Sequence, residues 1–152
     1  MIINEKEYVL SPRKTKEVLD FQEAFKDEKL EDSANITNVL IMAQTISDSL
    51  KATWRNEVIK VFLKRTKLNP KFIIDNIDEL GILYKRINIF TRWLIKRKVN
   101  RYRDYLVDWK YLLNVLDEKT FTEAFLFVSE LEGNKKKVVV ENQSVETLQK
   151  EK

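Results

Sequence analysis

Glycine and proline occur only twice each in 152 residues, and that scarcity constrains the fold more than any motif in the chain. Strand-rich folds reverse direction every ~8–12 residues and need turn residues to do so. A chain with almost none must run in long stretches that satisfy their backbone hydrogen bonds internally, which means helices. The four exceptions, Pro12, Pro70, Gly81 and Gly133, then read as punctuation.

The first ten residues are the one segment with strand character. Ile2 and Ile3, then Tyr8, Val9 and Leu10, bracket the polar turn Asn4-Glu5-Lys6-Glu7 and predict a β-hairpin over 2–10. A lone hairpin is marginal in water, so it must pack on something, and its unpaired edge predicts self-association. Ser11 and Pro12 are an N-cap and an N1 residue for a first helix, with Val18, Leu19, Phe21, Ala24 and Phe25 on its apolar side. A charged connector follows over 26–31. Asp32 or Ser33 caps a second helix through Ile36, Val39, Leu40, Ala43, Ile46 and Leu50. Its stripe resumes at Trp54, Val58, Ile59, Phe62 and Leu63, after an expected break near 51–53.

Asn69-Pro70 repeats the cap-then-proline signal before a short helix containing Phe72, Ile73 and Ile77. One helix is then expected over 79–99 and another, capped by Asn100, over 102–116. A last one, over 118–131, would be closed by Gly133 as C′ residue. The polar stretch beyond lacks the apolar residues that offset ordering entropy, so a mobile tail is expected. The predicted architecture is all-α: a multi-helix bundle with a short N-terminal β-hairpin. It comprises one helical domain over 1–133 and a flexible polar tail over 134–152.

Composition removes most catalytic chemistry. The chain has no histidine and no cysteine, so it lacks the neutral-pH acid/base, the thiolate and the usual zinc ligands. The serines have no imidazole base, and two isolated glycines build no phosphate loop. Asp75, Asp78 and Glu79 lack the alternating oxygen ligands and loop glycine of a calcium site; Asp78 reads better as a helix-start residue. The expectation is a non-enzymatic protein without cofactor or metal. The N-terminus has no basic segment ahead of an apolar one, and no apolar run approaches ~18 residues, so neither a signal peptide nor a membrane partner is expected.

The net charge of +4 hides a polarity. Residues 14–32 hold four bases and seven acids, net −3; residues 51–68 hold six and one, net +5; residues 82–110 hold nine and two, net +7. Within the last block Lys96, Arg97, Lys98, Arg101 and Arg103 alternate with Trp93, Tyr102, Tyr105 and Trp109. Cations beside rings suit single-stranded nucleic acid, and 93–109 is the candidate stretch for it. The preferred reading puts those rings in the core, with the cations reaching outward to water. The remaining signal is amphipathic helix surface. A groove for another protein's helix is expected among Phe90, Leu94, Tyr105, Trp109 and Leu113.

The opening Ile-Ile-Asn-Glu-Lys-Glu-Tyr-Val-Leu over 2–10, followed by a helical body, resembles the tail assembly chaperones of long-tailed bacteriophages. These commonly begin with a hairpin of the type I-x-I-N-x-K-E-Y-x-L. The resemblance implies a cytoplasmic protein of an infected bacterium that binds the tape measure protein, and then yields to the tail tube protein. It implies no catalytic residues. Members are often made in two lengths by a ribosomal frameshift, and the lysine run 135–137 could encode an A-rich slippery site. A nucleic-acid-binding accessory protein is the alternative, and an adaptor or inhibitor of a host protein a third.

Overall fold

One helix organises the molecule. The computed structural model describes the backbone of residues 1–13 and 34–150, and the side chains of 1–13 and 39–134. The helix expected over 14–25, the connector and the cap at Asp32 or Ser33 lie outside the described residues. The described chain is all-α apart from the N-terminal hairpin. Helix α1 (Ala34–Arg65) runs 32 residues without interruption, roughly 48 Å at ~1.5 Å per residue.

The break expected near 51–53 is not there. What looked like a gap in the apolar stripe is the place where α1 meets the hairpin's backbone. Thr53 Oγ1 lies 2.8 Å from the Val9 carbonyl and 2.7 Å from Ser11 Oγ. Ser49 Oγ donates to the Ser11 carbonyl (2.6 Å) and accepts from the Ser11 N–H (3.0 Å). Buried hydroxyls are tolerated inside a helix when each finds a partner.

The hairpin pairs β1 (Ile2–Ile3) with β2 (Lys6–Glu7) antiparallel, Ile2 opposite Glu7 and Ile3 opposite Lys6. Its turn is tighter than the four residues expected. Asn4 and Glu5 alone make it, both left-handed (φ 47° and 64°), the geometry of a two-residue primed turn. Lys6 and Glu7 are therefore strand. Ile3, Tyr8 and Leu10 are buried while Ile2 and Val9 are exposed, the period-two pattern of a one-sided ribbon.

Two apolar clusters share α1. Ala43, Ile46 and Leu50 meet the hairpin's Ile3, Tyr8 and Leu10 together with Leu112, Phe121, Ala124 and Val128. Trp54, Val58 and Phe62, further along, meet Ile73, Ile77, Leu83, Ile95 and Val99. Tyr105 packs against both clusters.

The second cluster is closed by short helices. In α2 (Pro70–Asp75) the Asn69 side chain accepts from the Lys71 N–H at 2.9 Å, as the cap-then-proline signal predicts. The helix expected over 79–99 divides into α3 (Leu80–Tyr84) and α4 (Ile89–Val99). Asn88 restarts the chain by accepting from the Thr91 N–H at 2.8 Å, and an asparagine side chain competes well with the helical backbone for that donor. A 3-10 helix (Asn100–Tyr105) leads on from α4.

The helix expected over 102–116 is also broken, since Asp108 caps a separate α5 (Trp109–Val115) by accepting from the Lys110 N–H at 3.0 Å. Finally α6 (Glu118–Lys150) begins at Asp117, whose carboxylate accepts from the Thr120 N–H at 2.8 Å. It does not end at Gly133. No glycine here has positive φ, so Gly133 does not adopt the left-handed conformation of a C′ residue. The backbone passes through it in the helix.

Candidate partner-binding surface

Helix α4 has two apolar faces. Ile95 and Val99 are buried against the second cluster. Ile89, Phe90 and Trp93 stay outside, 80%, 70% and 56% exposed. The Phe90 and Trp93 rings stack with centroids 6.5 Å apart, and the Arg97 guanidinium lies 5.9 Å from the Trp93 centroid. Burying a large apolar side chain stabilises by about 1.5–3 kcal/mol, so three left in water on one short helix form a ridge suited to a partner.

The five residues expected to line one groove do not come together. Phe90 belongs to the ridge and Leu94 is half-buried on the same helix. Tyr105 sits between the clusters, its ring edge-on to Tyr8 at 5.3 Å. Trp109 and Leu113 pack against the hairpin-side cluster. The cause is the break over 106–108, which turns α5 towards the hairpin. Ile89 was missed as a surface residue, and Trp93 was named only as a ring of the nucleic-acid alternative, with the core as its preferred place. Their signal was a second apolar stripe, at positions 89, 90 and 93, out of phase with the buried pair at 95 and 99.

The cations divide in the same way. Arg97, Lys98 and Arg101 gather at the C-terminal end of α4, where Lys64 and Arg65 of α1 join them. The Lys98 ammonium is held below its usual pKa, chiefly by Arg101, then by partial desolvation, with Arg65, Lys64 and Arg97 adding. Lys64, Lys98 and the half-buried Tyr102 line one shallow cleft between α1 and the 3-10 helix. Lys96 Nζ lies over the Tyr84 ring at 5.2 Å. Arg103 lines a separate depression with Leu106 and Tyr111 on the hairpin side. Trp93 is outside the core, contrary to the preferred reading of the basic-aromatic stretch, whereas Tyr102 and Trp109 do pack on the clusters.

A second apolar depression, lined by Tyr8, Val9, Leu10, Ala124 and Phe127, lies between the hairpin and α6. Its rim carries the acidic side chains Glu7 and Glu123.

Asp78 is held by Arg55, Nε to Oδ1 at 2.7 Å, tying the α2–α3 connection to α1 rather than capping a helix. Among the described residues no group of three or more acidic, histidine or cysteine side chains is placed to hold a metal ion. No described helix is long and apolar enough to cross a membrane. Comparison with protein-family models, curated proteins and solved structures finds no match for this chain.

Proposed function

We propose that this chain is a non-enzymatic binding protein that shields an apolar helix of a partner against α4, and that it serves as a tail assembly chaperone for the tape measure protein of a long-tailed bacteriophage. The observation that carries the reading is the ridge of Ile89, Phe90 and Trp93, three large apolar side chains left in water on a helix whose other face is packed. A tape measure is a long helix whose apolar stripes aggregate when left wet. A modest exposed ridge covers such a stripe reversibly, as a chaperone that later yields to tail tube subunits requires. The resemblance over residues 2–10 supports the specific assignment. The site of action is then the cytoplasm of the infected bacterium.

Co-expression tests this. The tape measure protein should stay soluble beside the wild-type chain and precipitate beside the Phe90→Ser/Trp93→Ser variant. Because both side chains are largely exposed, the variant should keep its helical circular dichroism and change stability by no more than about 0.5 kcal/mol. A tape measure protein equally insoluble beside both chains, with both folded, rules the reading out.

A further inference from the structure

The chemistry of the bound helix can be taken further, on the basis of the helix-binding reading above. The ridge does not end in neutral surface. Arg97 touches it, lying over the Trp93 ring, and opens onto Lys98, Arg101, Lys64 and Arg65. None of these five cations has a carboxylate partner among the described residues. Helix ends explain part of the cluster, since Lys64 and Arg65 lie in the last turn of α1 and Arg97 and Lys98 in that of α4. Each helix C-terminus carries only about half a negative charge. Glu57 lines the same cleft but is paired with Lys60 at 2.8 Å, so two ends supply about one unit against five cations, and most of the positive charge is left over.

We propose that the helix held along α4 is acidic at one end, its apolar stripe lying over Ile89, Phe90 and Trp93 and its carboxylates over Arg97, Lys98, Arg101, Lys64 and Arg65. The opposed surfaces are then complementary in both hydrophobicity and charge. The charge contact sets the direction in which the partner helix lies.

A single-stranded nucleic acid is the competing ligand, and the surface suits it less. Stacked bases need cations alongside the rings to follow the phosphates. Arg97 does lie beside Trp93, but Lys96 and Arg86 lie over Tyr84 and Phe72 instead, at 5.2 and 5.5 Å. The most exposed member of the ridge is Ile89, an aliphatic side chain that offers no stacking surface.

Three synthetic amphipathic peptides, each about five helical turns long, decide the matter with the full chain. They share one leucine-alanine stripe and differ only at one end, which carries Glu, Gln or Lys; a labelled single-stranded oligonucleotide is the fourth probe. At low salt the Glu peptide should bind about tenfold more tightly than the Gln peptide, the sum of several exposed ion pairs, and the Lys peptide most weakly. The advantage should vanish near ~0.5 M salt. Lys98→Glu with Arg101→Glu brings the patch close to neutrality and should erase the Glu advantage, and Lys64→Gln with Arg65→Gln, on the other element, should shrink it. Equal binding of the Glu and Gln peptides overturns the charge proposal while leaving helix binding intact. Binding of no peptide overturns both. An oligonucleotide bound more tightly than the Glu peptide replaces the proposal with nucleic-acid recognition.

Discussion

The two ends of α1 are finished differently. Around Ala43, Ile46 and Leu50 the hairpin closes the molecule with polar as well as apolar contacts. Arg13 grips Glu132 of α6 through two bonds of 2.7 and 3.1 Å, and Ser11, Ser49 and Thr53 lock the strand's backbone to the helix. Lys6 pairs with Asp104, and Asn4 Nδ2 donates to the Tyr111 hydroxyl at 3.0 Å. Around Trp54, Val58 and Phe62 three short helices close an equally dry cluster, yet the last of them turns three large apolar side chains and a group of unmatched cations outward. The first end also leaves Ile2, Val9, Leu126 and Phe127 exposed, but without a cluster of cations beside them. The proposed reading places recognition at the second end and anchoring of the N-terminus at the first.

The largest expected effect tests whether the two ends are one cooperative unit. Phe62→Ala empties a fully buried site of the second cluster and should cost about 3–5 kcal/mol, with Leu50→Ala in the first costing about 2–5 kcal/mol. Because α1 is continuous through both clusters, each variant should shift a single denaturant transition with an unchanged slope. Two separate transitions would mean that the clusters unfold independently.

Arg13→Ala comes next. It removes two charge-assisted hydrogen bonds to the largely buried Glu132 carboxylate and should cost about 2 kcal/mol, measured by urea unfolding, while peptide binding at α4 stays at the wild-type level. A loss of binding as large as the loss of stability would break the division between an anchoring end and a recognising end.

The smallest effect concerns pH at the start of α6. Hydrogen bonds from the Thr120 backbone and hydroxyl hold the Asp117 carboxyl below the ordinary carboxylate range. A depressed carboxylate favours the folded state above its unfolded pKa, and the contribution fades as pH falls below that value towards the folded one. The protection of the Thr120 amide, its exchange relative to the unfolded rate at the same pH, should therefore fall on acidification below about pH 4, and Asp117→Asn should flatten that dependence while leaving α4 untouched.

Much of the fold is legible from residue order. The hairpin, the cap-then-proline start at Asn69-Pro70 and the beginning of α6 all follow from local chemistry, because caps and turns are set by residues within one helical turn. Helix continuity was harder to read. The run 51–53 looks like an interruption until the hairpin's carbonyls are seen to engage Thr53. Asn88 and Asp108 sit within otherwise helical patterns, and their side chains become caps where the packed chain has to turn. The candidate surface was half visible. Phe90 and the cations 97, 98 and 101 could be named, but not their separation from Trp109, Leu113 and Arg103.

Sparse turn residues and periodic apolar spacing were enough to make this an all-helical body behind a short hairpin, and the lack of imidazole and thiol removed the commonest catalytic groups. Both are local or compositional properties, and neither depends on how the helices meet. Which of two apolar stripes on α4 is buried, and which cations end up side by side, depended on the tertiary arrangement. Those outcomes rest on contacts between α1 and segments more than thirty positions away, and no short-range pattern records which face such a contact will choose.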